Sequence, residues 1–358
     1  MIFDSPEMKD IREAYKELPL TEVPGIVKLD RLEEYQNERM YLEDLISRIE
    51  GPKQKDLLSK LVCCDDGQHI GAWFELMLFG WLRDEFKFEI GPIIEGCNPD
   101  FVIDLNGSPI AIEAKASLIP KDEKEKQVTE NLIFSYVHEI PFPYFISIDV
   151  ETISHTICKE KFIHDLTCWL QSGGSNPLLF FDEYGNKFTI IKGMEVDTPH
   201  LLVGMSIPLR SDLKKLMHVL HKKANQNLKI QEAGIPYVIA VFHESGLHSS
   251  EEIVSAWFGT PTLIVDRNGG GIIGHTTSRT GAQYAKNNQD KIVHKGVSGI
   301  LGFSVKRNIE MKTRELIASY IQIPFAANPI APDIFPVTSR FIIESTDENS
   351  YNMKWVNS

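Results

Sequence analysis

Two carboxylates and a lysine are spaced so that a β-hairpin would gather them on one face. The segment Asn98–Ser117 reads as two strands joined by Asn106-Gly107, a dipeptide that strongly favours a two-residue type I′ turn. In that register Asp100 lies opposite Glu113, and Lys115 follows on the same face because side chains alternate along a strand. Two carboxylates about 5 Å apart repel each other. A divalent cation would remove that repulsion because hard cations prefer oxygen ligands, so the hairpin predicts a metal site.

The other face of this hairpin is apolar and is expected to pack on a core. It carries Phe101, Ile103, Leu105, Ile110, Ile112 and Ala114. The alternative is structural: Asp100 caps a loop beside Pro99, while Glu113 and Lys115 lie on a solvated strand face. Asp104 shares the site face by parity, but its place beside the turn indicates a role in turn formation.

A third carboxylate lies in the apolar segment 71–82, GAWFELMLFGWL. The segment is apolar nearly all round, which predicts a buried core helix, and it is too short to cross a bilayer. Its single acid is Glu75, and an unpaired buried charge is costly. Glu75 therefore either pairs with a base such as Arg83 or points into a polar site.

Pro99-Asp100, a gap of twelve residues and then Glu113-Ala114-Lys115 resemble the signature of the PD-(D/E)XK nuclease superfamily. The resemblance covers residues 68–150, under a quarter of the chain. It implies an α/β restriction-endonuclease-like fold, in which a mixed central sheet flanked by helices carries the motif on its second and third strands. It also implies that the first helix supplies another acid, and Glu75 lies at that place.

The resemblance further implies phosphodiester hydrolysis with Mg²⁺ or Mn²⁺ as cofactor. Asp100 and Glu113 would hold the metal together with the backbone carbonyl of Ala114. Glu75 would touch a second metal or order a metal-bound water. Lys115 would orient the attacking water or stabilise developing negative charge.

A basic segment follows at Arg210–Lys229, with six Lys or Arg residues and one acid. Its apolar residues form a helical stripe: Leu213, Leu216, Leu220, Ala224 and Leu228. Lys215, His218, Lys222 and Lys229 fall on the opposite side. The pattern indicates either a solvated helix face or a helix that contacts phosphates. In the second case the candidate nucleic-acid contacts are Lys215, Lys222, Lys223 and Gln226.

The predicted organisation has four parts: a helical N-terminal region (1–66), a nuclease-like core (67–150), a second α/β region with the basic helix (151–245) and a C-terminal α/β extension (246–358). Two closings of the core are open. Its last helix and strand are either 122–150, or 211–242 with the intervening residues as an insertion. We favour the first. The second would bring Lys223 and Gln226 towards the metal face.

Composition excludes some classes of protein. The chain has 358 residues, 42% hydrophobic and 24% charged, as expected for a globular protein with a sizeable core. A net charge of −13 argues against a general nucleic-acid coat protein, but not against a nuclease whose acids lie away from DNA.

Five cysteines without zinc-like spacing indicate reduced thiols. With neither a signal peptide at the start nor an apolar membrane span, we expect a cytoplasmic location and no membrane partner.

The sequence therefore predicts a Mg²⁺-dependent nuclease acting on DNA, in bacterial or phage-related restriction or defence. One alternative is a nuclease-fold module with an inactive site that binds nucleic acid or protein. Another is an unrelated α/β hydrolase, which would place Glu75 far from the hairpin acids. Because restriction-like enzymes that cut both strands often work as dimers, the resemblance also implies a homodimer.

Overall fold

The computed structural model describes residues 2–20, 22–118, 129, 132–133, 135–137, 139–140, 144–174, 176–195, 202–206, 211–243, 249–259, 261–265, 272–277, 281–282, 284–285, 288–308, 313–347 and 350–357. The chain forms two compact units, Met1–Leu118 with Lys215–Ser358, and Ile119–Lys214. This division differs from the predicted boundaries at 66, 150 and 245, because the second unit begins directly after the motif hairpin and ends inside the basic helix.

Helices occupy the first unit up to its sheet. They are α1 (Pro6–Ala14), α2 (Gly25–Arg31), α3 (Gln36–Ser47), α4 (Gly51–Leu61) and α5 (Asp66–Glu85). The side chain of Asp65 caps α5 by accepting a hydrogen bond from the backbone N–H of Gln68 at 2.8 Å. The buried core helix expected from GAWFELMLFGWL is confirmed, since nearly every apolar side chain of that segment is buried.

The first unit is built on a mixed sheet flanked by helices. Its strands, numbered along the chain with those of the smaller sheets, are β1 (Lys87–Ile90), β2 (Phe101–Leu105), β3 (Ser108–Ser117), β8 (Tyr237–His243), β13 (Val297–Asn308), β14 (Thr313–Gln322), β15 (Ser339–Asp347) and β16 (Ser350–Asn357). Among the described residues they lie in the order β1-β2-β3-β8-β13-β14-β15-β16. β8 is parallel to both of its neighbours, and β14 is parallel to β15, whereas the other pairs are antiparallel.

The motif hairpin forms in the predicted register. Asn106 and Gly107 both have positive φ, 54° and 88°, as a type I′ turn requires. Leu105 pairs with Ser108, and the rest of β2 follows in step. The side chain of Asp104 accepts a hydrogen bond from the backbone N–H of Gly107 at 2.6 Å, which confirms its role in the turn.

Of the two segments that could close the core, 122–150 and 211–242, the structure shows the second beside the motif hairpin, because β3 pairs with β8. Our preference for 122–150 was therefore wrong for the sheet, because β4 (Tyr144–Thr152) lies in the sheet of the second unit. The physical reason is burial on both faces. All seven side chains of β8 are buried, as an interior parallel strand requires, whereas β4 alternates between buried Ile146 and Ile148 and the exposed Asp149.

The remaining helices of the first unit connect to this sheet. They are α7 (Ser211–Ala224), which counts with the first unit from Lys215, α8 (Leu228–Glu232) and α9 (Ser249–Phe258). The predicted basic helix is thus broken into α7 and α8. Two further strand pairs are β9 (Pro261–Val265) with β10 (Ile272–Thr277), and β11 (Tyr284–Ala285) with β12 (Asn288–Ile292). The core packs α5 on the sheet, with Trp73 and Phe74 in ring contact with Phe242.

The second unit has a four-stranded sheet in the order β5-β6-β4-β7 among its described residues. Its strands other than β4 are β5 (Leu178–Phe181), β6 (Lys187–Glu195) and β7 (Leu202–Ser206). The helix α6 (Lys159–Gln171) packs on one face of this sheet. The helix predicted over 122–140 falls mostly outside the described residues. In the part of the chain that the structure describes, no helix combines the length and the apolarity needed to cross a bilayer.

Candidate active site

A cavity of about 460 Å³ lies in the first unit among α4, α5, the motif hairpin and α7. All four residues predicted as catalytic line it: Glu75, Asp100, Glu113 and Lys115. Two of the four predicted nucleic-acid contacts, Lys215 and Lys223, line it as well. The structure therefore brings together a helix acid, two hairpin acids and lysines from two further positions on the chain.

Asp100 is tied to the strand that carries the other motif residues. It directly precedes β2, and its Oδ2 accepts a hydrogen bond from the backbone N–H of Ala114 at 2.9 Å. Its own backbone carbonyl accepts from the N–H of Gly91 at 2.8 Å. These two bonds fix the carboxylate beside Glu113, as the predicted register requires.

Glu75 points into this polar cavity, and its partner is Lys53 of α4. The Nζ of Lys53 forms an ion pair with Oε1 of Glu75 and lies 3.4 Å from Oδ1 of Asp100. Arg83, the base considered from the sequence, pairs instead with Asp44 and Asp84. One ammonium thus bridges the helix acid and a hairpin acid.

Sequence reasoning missed Lys53, although a weak signal was present. Gly51-Pro52 starts α4, so Lys53 lies in the first turn, which contains no acid. The positive end of the helix dipole disfavours a cation there. A lysine at such a place is better explained by an acidic partner elsewhere in the fold.

Glu113 is held at both of its oxygens. Lys223 of α7 forms an ion pair with Oε1, and Nδ2 of Asn227 donates a hydrogen bond to Oε2 at 2.9 Å. Asn227 stands between α7 and α8 in the left-handed region, with φ 52°. Tyr237 at the start of β8 donates its hydroxyl to the backbone carbonyl of Lys223 at 3.0 Å, which fixes the end of α7.

Gln226, predicted as a nucleic-acid contact, is not part of the cavity wall. Its side-chain oxygen is buried and accepts no hydrogen bond from the described residues. The adjacent Asn227 reaches Glu113 because the left-handed turn after α7 redirects the chain at that residue. Asn is among the few non-glycine residues that adopt this conformation readily, so the sequence offered a signal.

The acids of the cavity repel one another in the metal-free protein. Burial, and then the charge of Asp100, raises the pKa of Glu75 to about 7, although Lys53 opposes the shift. Burial and Asp100 also raise the pKa of Glu113, against the effect of Lys223. Each lysine offsets only part of the repulsion. The site therefore favours additional positive charge.

The opposite conflict exists on the lysine side. Partial desolvation lowers the pKa of Lys115, and positive charges from α7 lower it further. These charges, in order of effect, are Lys223, Lys222 and Lys215. An anion bound among the lysines would relieve this repulsion, as a cation would among the acids.

The donor set fits Mg²⁺ in an open site. Among the described residues, no three His, Cys, Asp or Glu side chains form a group that could hold a metal ion. A closed protein cage is not what Mg²⁺ requires, because it is usually held by one or two carboxylates with waters and substrate phosphates. Asp100 and Glu113 supply two carboxylates. The backbone carbonyl of Ala114, next to Glu113 on β3, is a third oxygen.

A second cavity of about 500 Å³ lies beside α9, β13, β14 and β15. Ser319 in its wall contacts the hydroxyls of Ser250 and Ser339 at 2.8 and 2.9 Å. Among the described residues, its lining holds one carboxylate, Glu251, and one lysine, Lys306. Without facing acids it offers no comparable hydrolytic arrangement, so the chemistry is centred on the first cavity.

The left-handed conformation of Asn227 gives a testable pair of variants. Asn227→Gly and Asn227→Ala both remove the hydrogen bond to Glu113. Only alanine is strained at φ 52°, so we expect Asn227→Ala to be less stable than Asn227→Gly by about 1 kcal/mol in urea unfolding. Equal stabilities of the two variants would contradict the assigned backbone conformation.

Comparison of the sequence and structure with known protein families, curated proteins and solved structures found no match. The geometry and electrostatics of the cavity therefore carry the functional argument.

Proposed function

We propose that this chain is a metal-dependent phosphodiester hydrolase that acts on DNA and has a restriction-endonuclease-like core. One observation carries the proposal: Glu75, Asp100, Glu113 and Lys115 line a single cavity, although they come from a helix and two strands. These are the four residues that the resemblance to PD-(D/E)XK nucleases assigns to catalysis. A chance match of the hairpin motif gives no reason for Glu75 to join it, which weighs against an unrelated α/β hydrolase.

The order of elements also supports this proposal. α5 precedes β1, the hairpin β2–β3 follows, and α7 leads through α8 to β8, which lies parallel to β3. That succession of helix, strand, hairpin, helix and strand is the one that the resemblance implies, with the second unit inserted between β3 and α7.

The residues would divide the work as follows. Asp100, Glu113 and the carbonyl of Ala114 would hold Mg²⁺, which when bound supplies Lewis acidity and a more acidic water. Lys115 extends from the same strand face and would stabilise negative charge that develops on the phosphate. Glu75, with its pKa raised to about 7, would hold or accept a proton of a water near neutral pH.

The lysines near the cavity support a polyanionic substrate. Lys215 and Lys222 are exposed on α7, and their charges act on Lys115. The chain is acidic overall, so this local concentration of positive charge sets the face at which a phosphate backbone would bind.

Removing these charges should weaken DNA binding without regard to sequence. Lys215→Ala and Lys222→Ala are each expected to lower duplex affinity and to reduce the slope of log affinity against log salt by about 1. Fluorescence anisotropy with a labelled duplex in Ca²⁺ at several salt concentrations measures both effects. Lys229→Ala, on α8, is the matched exposed-lysine control. An unchanged slope in both variants would contradict the proposed DNA face.

The direct test is cleavage of supercoiled plasmid, linear duplex, single-stranded DNA and RNA with Mg²⁺ or Mn²⁺ beside EDTA controls. Metal-dependent cutting that is lost in Asp100→Ala and Lys115→Ala would support the proposal and identify the substrate form. Folded wild-type protein that cuts none of these substrates would argue against it.

A second candidate is a nuclease-fold module that binds nucleic acid or protein and is catalytically inactive. The observation that favours it is the pairing of Glu75 with Lys53 and of Glu113 with Lys223, which gives two of the acids a positively charged partner without any metal. DNA binding that is indifferent to Mn²⁺, together with no detectable Mn²⁺ binding, would support this module over the nuclease.

We also propose a cytoplasmic location for this protein. All five cysteines are free thiols, which is consistent with the reducing cytoplasm. A role in restriction or defence, and a homodimer that cuts both strands, rest on the resemblance alone. Sedimentation as a monomer at all working concentrations, with and without DNA, would exclude the dimer.

A further inference from the structure

Lys53 has no counterpart in the motif, yet it contacts two of the acids that line the cavity. It comes from the first turn of α4, and its side chain is 26% exposed. Its ammonium pairs with Glu75 and lies 3.4 Å from Asp100. Burial lowers the pKa of Lys53, but the two acids outweigh it and hold the pKa above its ordinary value.

A cation at this position offsets the repulsion between two acids. Glu75 and Asp100 both lie beside the ammonium of Lys53, so their carboxylates also lie near each other. Positive charge next to Asp100 and Glu75 offsets part of that repulsion, and the ammonium of Lys53 provides it. A divalent ion held by Asp100 would compete with this ammonium for the same carboxylate.

We propose that Lys53 is an internal counter-ion that a divalent cation must displace, and that it thereby sets the metal affinity of the site. The inference rests on the proposed function only in that the acids hold a metal. Two like charges cannot both lie against one carboxylate pair without strong repulsion. Metal binding then requires the flexible side chain of Lys53 to leave Asp100, and the free energy of breaking that contact is subtracted from the binding of the metal.

The same contact stabilises the metal-free fold. Without Lys53, Glu75 and Asp100 would face each other with no ammonium between them, and a largely buried acid that loses its partner is costly. A metal would then restore the missing positive charge. Lys53 therefore has two opposite effects: it stabilises the metal-free fold, and it lowers the affinity of the site for the metal.

Lys60 provides a closely matched control. It lies on the same helix, lines the same cavity and acts on Glu75 through its charge. Its ammonium, however, pairs with Asp56 at 2.6 Å, one turn earlier on α4. Lys60→Met thus removes the same charge from the same wall without removing a contact to the site acids that the structure describes.

The experiment is a titration of the full chain with Mn²⁺ in the absence of DNA. Binding is measured by isothermal titration calorimetry and by the electron paramagnetic resonance signal of free Mn²⁺. Lys53→Met and Lys53→Gln should bind Mn²⁺ about tenfold more tightly than wild type or better, because a contacting charge acts far more strongly than one screened by solvent. Lys53→Arg should stay near wild type because the positive charge is kept. Lys60→Met should shift by less than about twofold.

Thermal unfolding supplies an independent readout. In EDTA, Lys53→Met should melt below wild type, and saturating Mn²⁺ should raise its melting temperature by more than it raises that of wild type. Because this comparison is made within each protein, a general loss of stability cannot produce it. If Lys53→Met is too unstable to titrate, Lys53→Gln carries the same test.

Three outcomes would overturn the inference: Mn²⁺ affinity unchanged in both neutral Lys53 variants, an equal gain in Lys60→Met, or no Mn²⁺ binding by any of these proteins. The nuclease proposal is judged separately. Tighter Mn²⁺ binding by Lys53→Met with no cleavage of any substrate would leave this inference standing and argue against the nuclease. Metal-dependent cutting, together with a Mn²⁺ affinity that does not change in the Lys53 variants, would support the nuclease and overturn this inference.

Discussion

Asp100→Asn and Glu113→Gln are each expected to reduce metal-dependent DNA cleavage by about 10³-fold or more, because a bound metal supplies several kcal/mol of charge stabilisation. A neutral amide is a much weaker ligand for Mg²⁺ than a carboxylate. Both substitutions keep the shape of the side chain. Asn can still accept the hydrogen bond that the backbone N–H of Ala114 donates to Asp100. The loss should therefore fall on activity and metal binding, with the fold retained.

Single-turnover cleavage of the best substrate form, at saturating enzyme, measures the effect on the chemical step. Circular dichroism and urea unfolding of the same preparations check the fold. Asp104→Asn is the matched control, because Asp104 lies on the same hairpin and its side-chain oxygen accepts a hydrogen bond from Gly107 in the turn, a role that Asn can also fill. Cleavage by either site variant at more than a tenth of the wild-type rate would contradict the assignment of that carboxylate.

The hairpin that presents these acids could be predicted because its determinants are local. The Asn106-Gly107 dipeptide fixes a turn with two residues of positive φ, and that turn fixes the register. Alternation along the strands then places Glu113 and Lys115 on one face. Each step concerns neighbouring residues, so the sequence alone contains the information needed.

The contacts that complete the site could not be predicted in the same way. Lys53 is 47 residues before Asp100, and Asn227 is 114 residues after Glu113. Both depend on how α4 and the α7–α8 turn pack against the hairpin. Nothing periodic in the sequence links such distant positions, so only the weak local signals, a lysine in a first helical turn and an Asn after α7, pointed to them.

The choice of closing strand shows a signal that was present but not used. PYVIAVF is apolar without interruption, which indicates burial on both faces, while PYFISIDV places Ser and Asp at every second position. A central parallel strand needs the first pattern, and a sheet with one open face accepts the second. Both segments supply a helix followed by a strand, so the order of elements does not distinguish them, whereas the hydrophobic pattern of the strand does.

The pH dependence of stability should reveal the strained state of Glu75. In EDTA, we expect the contribution of this residue to the free energy of unfolding to fall as the pH rises from about 4.5 to above 7. The pKa of Glu75 is about 7 in the folded protein against an ordinary 4.5. Over that range the folded state binds more protons than the unfolded state, so stability decreases with rising pH.

The size of this effect is bounded by the two pKa values. Glu75 is largely buried, with 13% of its side chain exposed, so solvent screens the interaction only weakly. The contribution is fully present below about pH 4.5, is lost as the pH rises through about 7, and amounts to about 3 kcal/mol at most. Glu113 has a raised pKa for the same reasons and acts in the same direction.

Glu75→Gln isolates the pH-dependent contribution of Glu75 to the free energy of unfolding, because an amide does not titrate. The difference in unfolding free energy between wild type and Glu75→Gln, measured with urea from pH 4 to pH 8.5 in EDTA, should shift steadily in favour of the variant. Glu85→Gln, at the exposed end of the same helix, is the matched control for the same substitution outside the site. Parallel curves for Glu75→Gln and wild type would mean that Lys53 fully neutralises Glu75, and the acids would then have no unmet need for a metal.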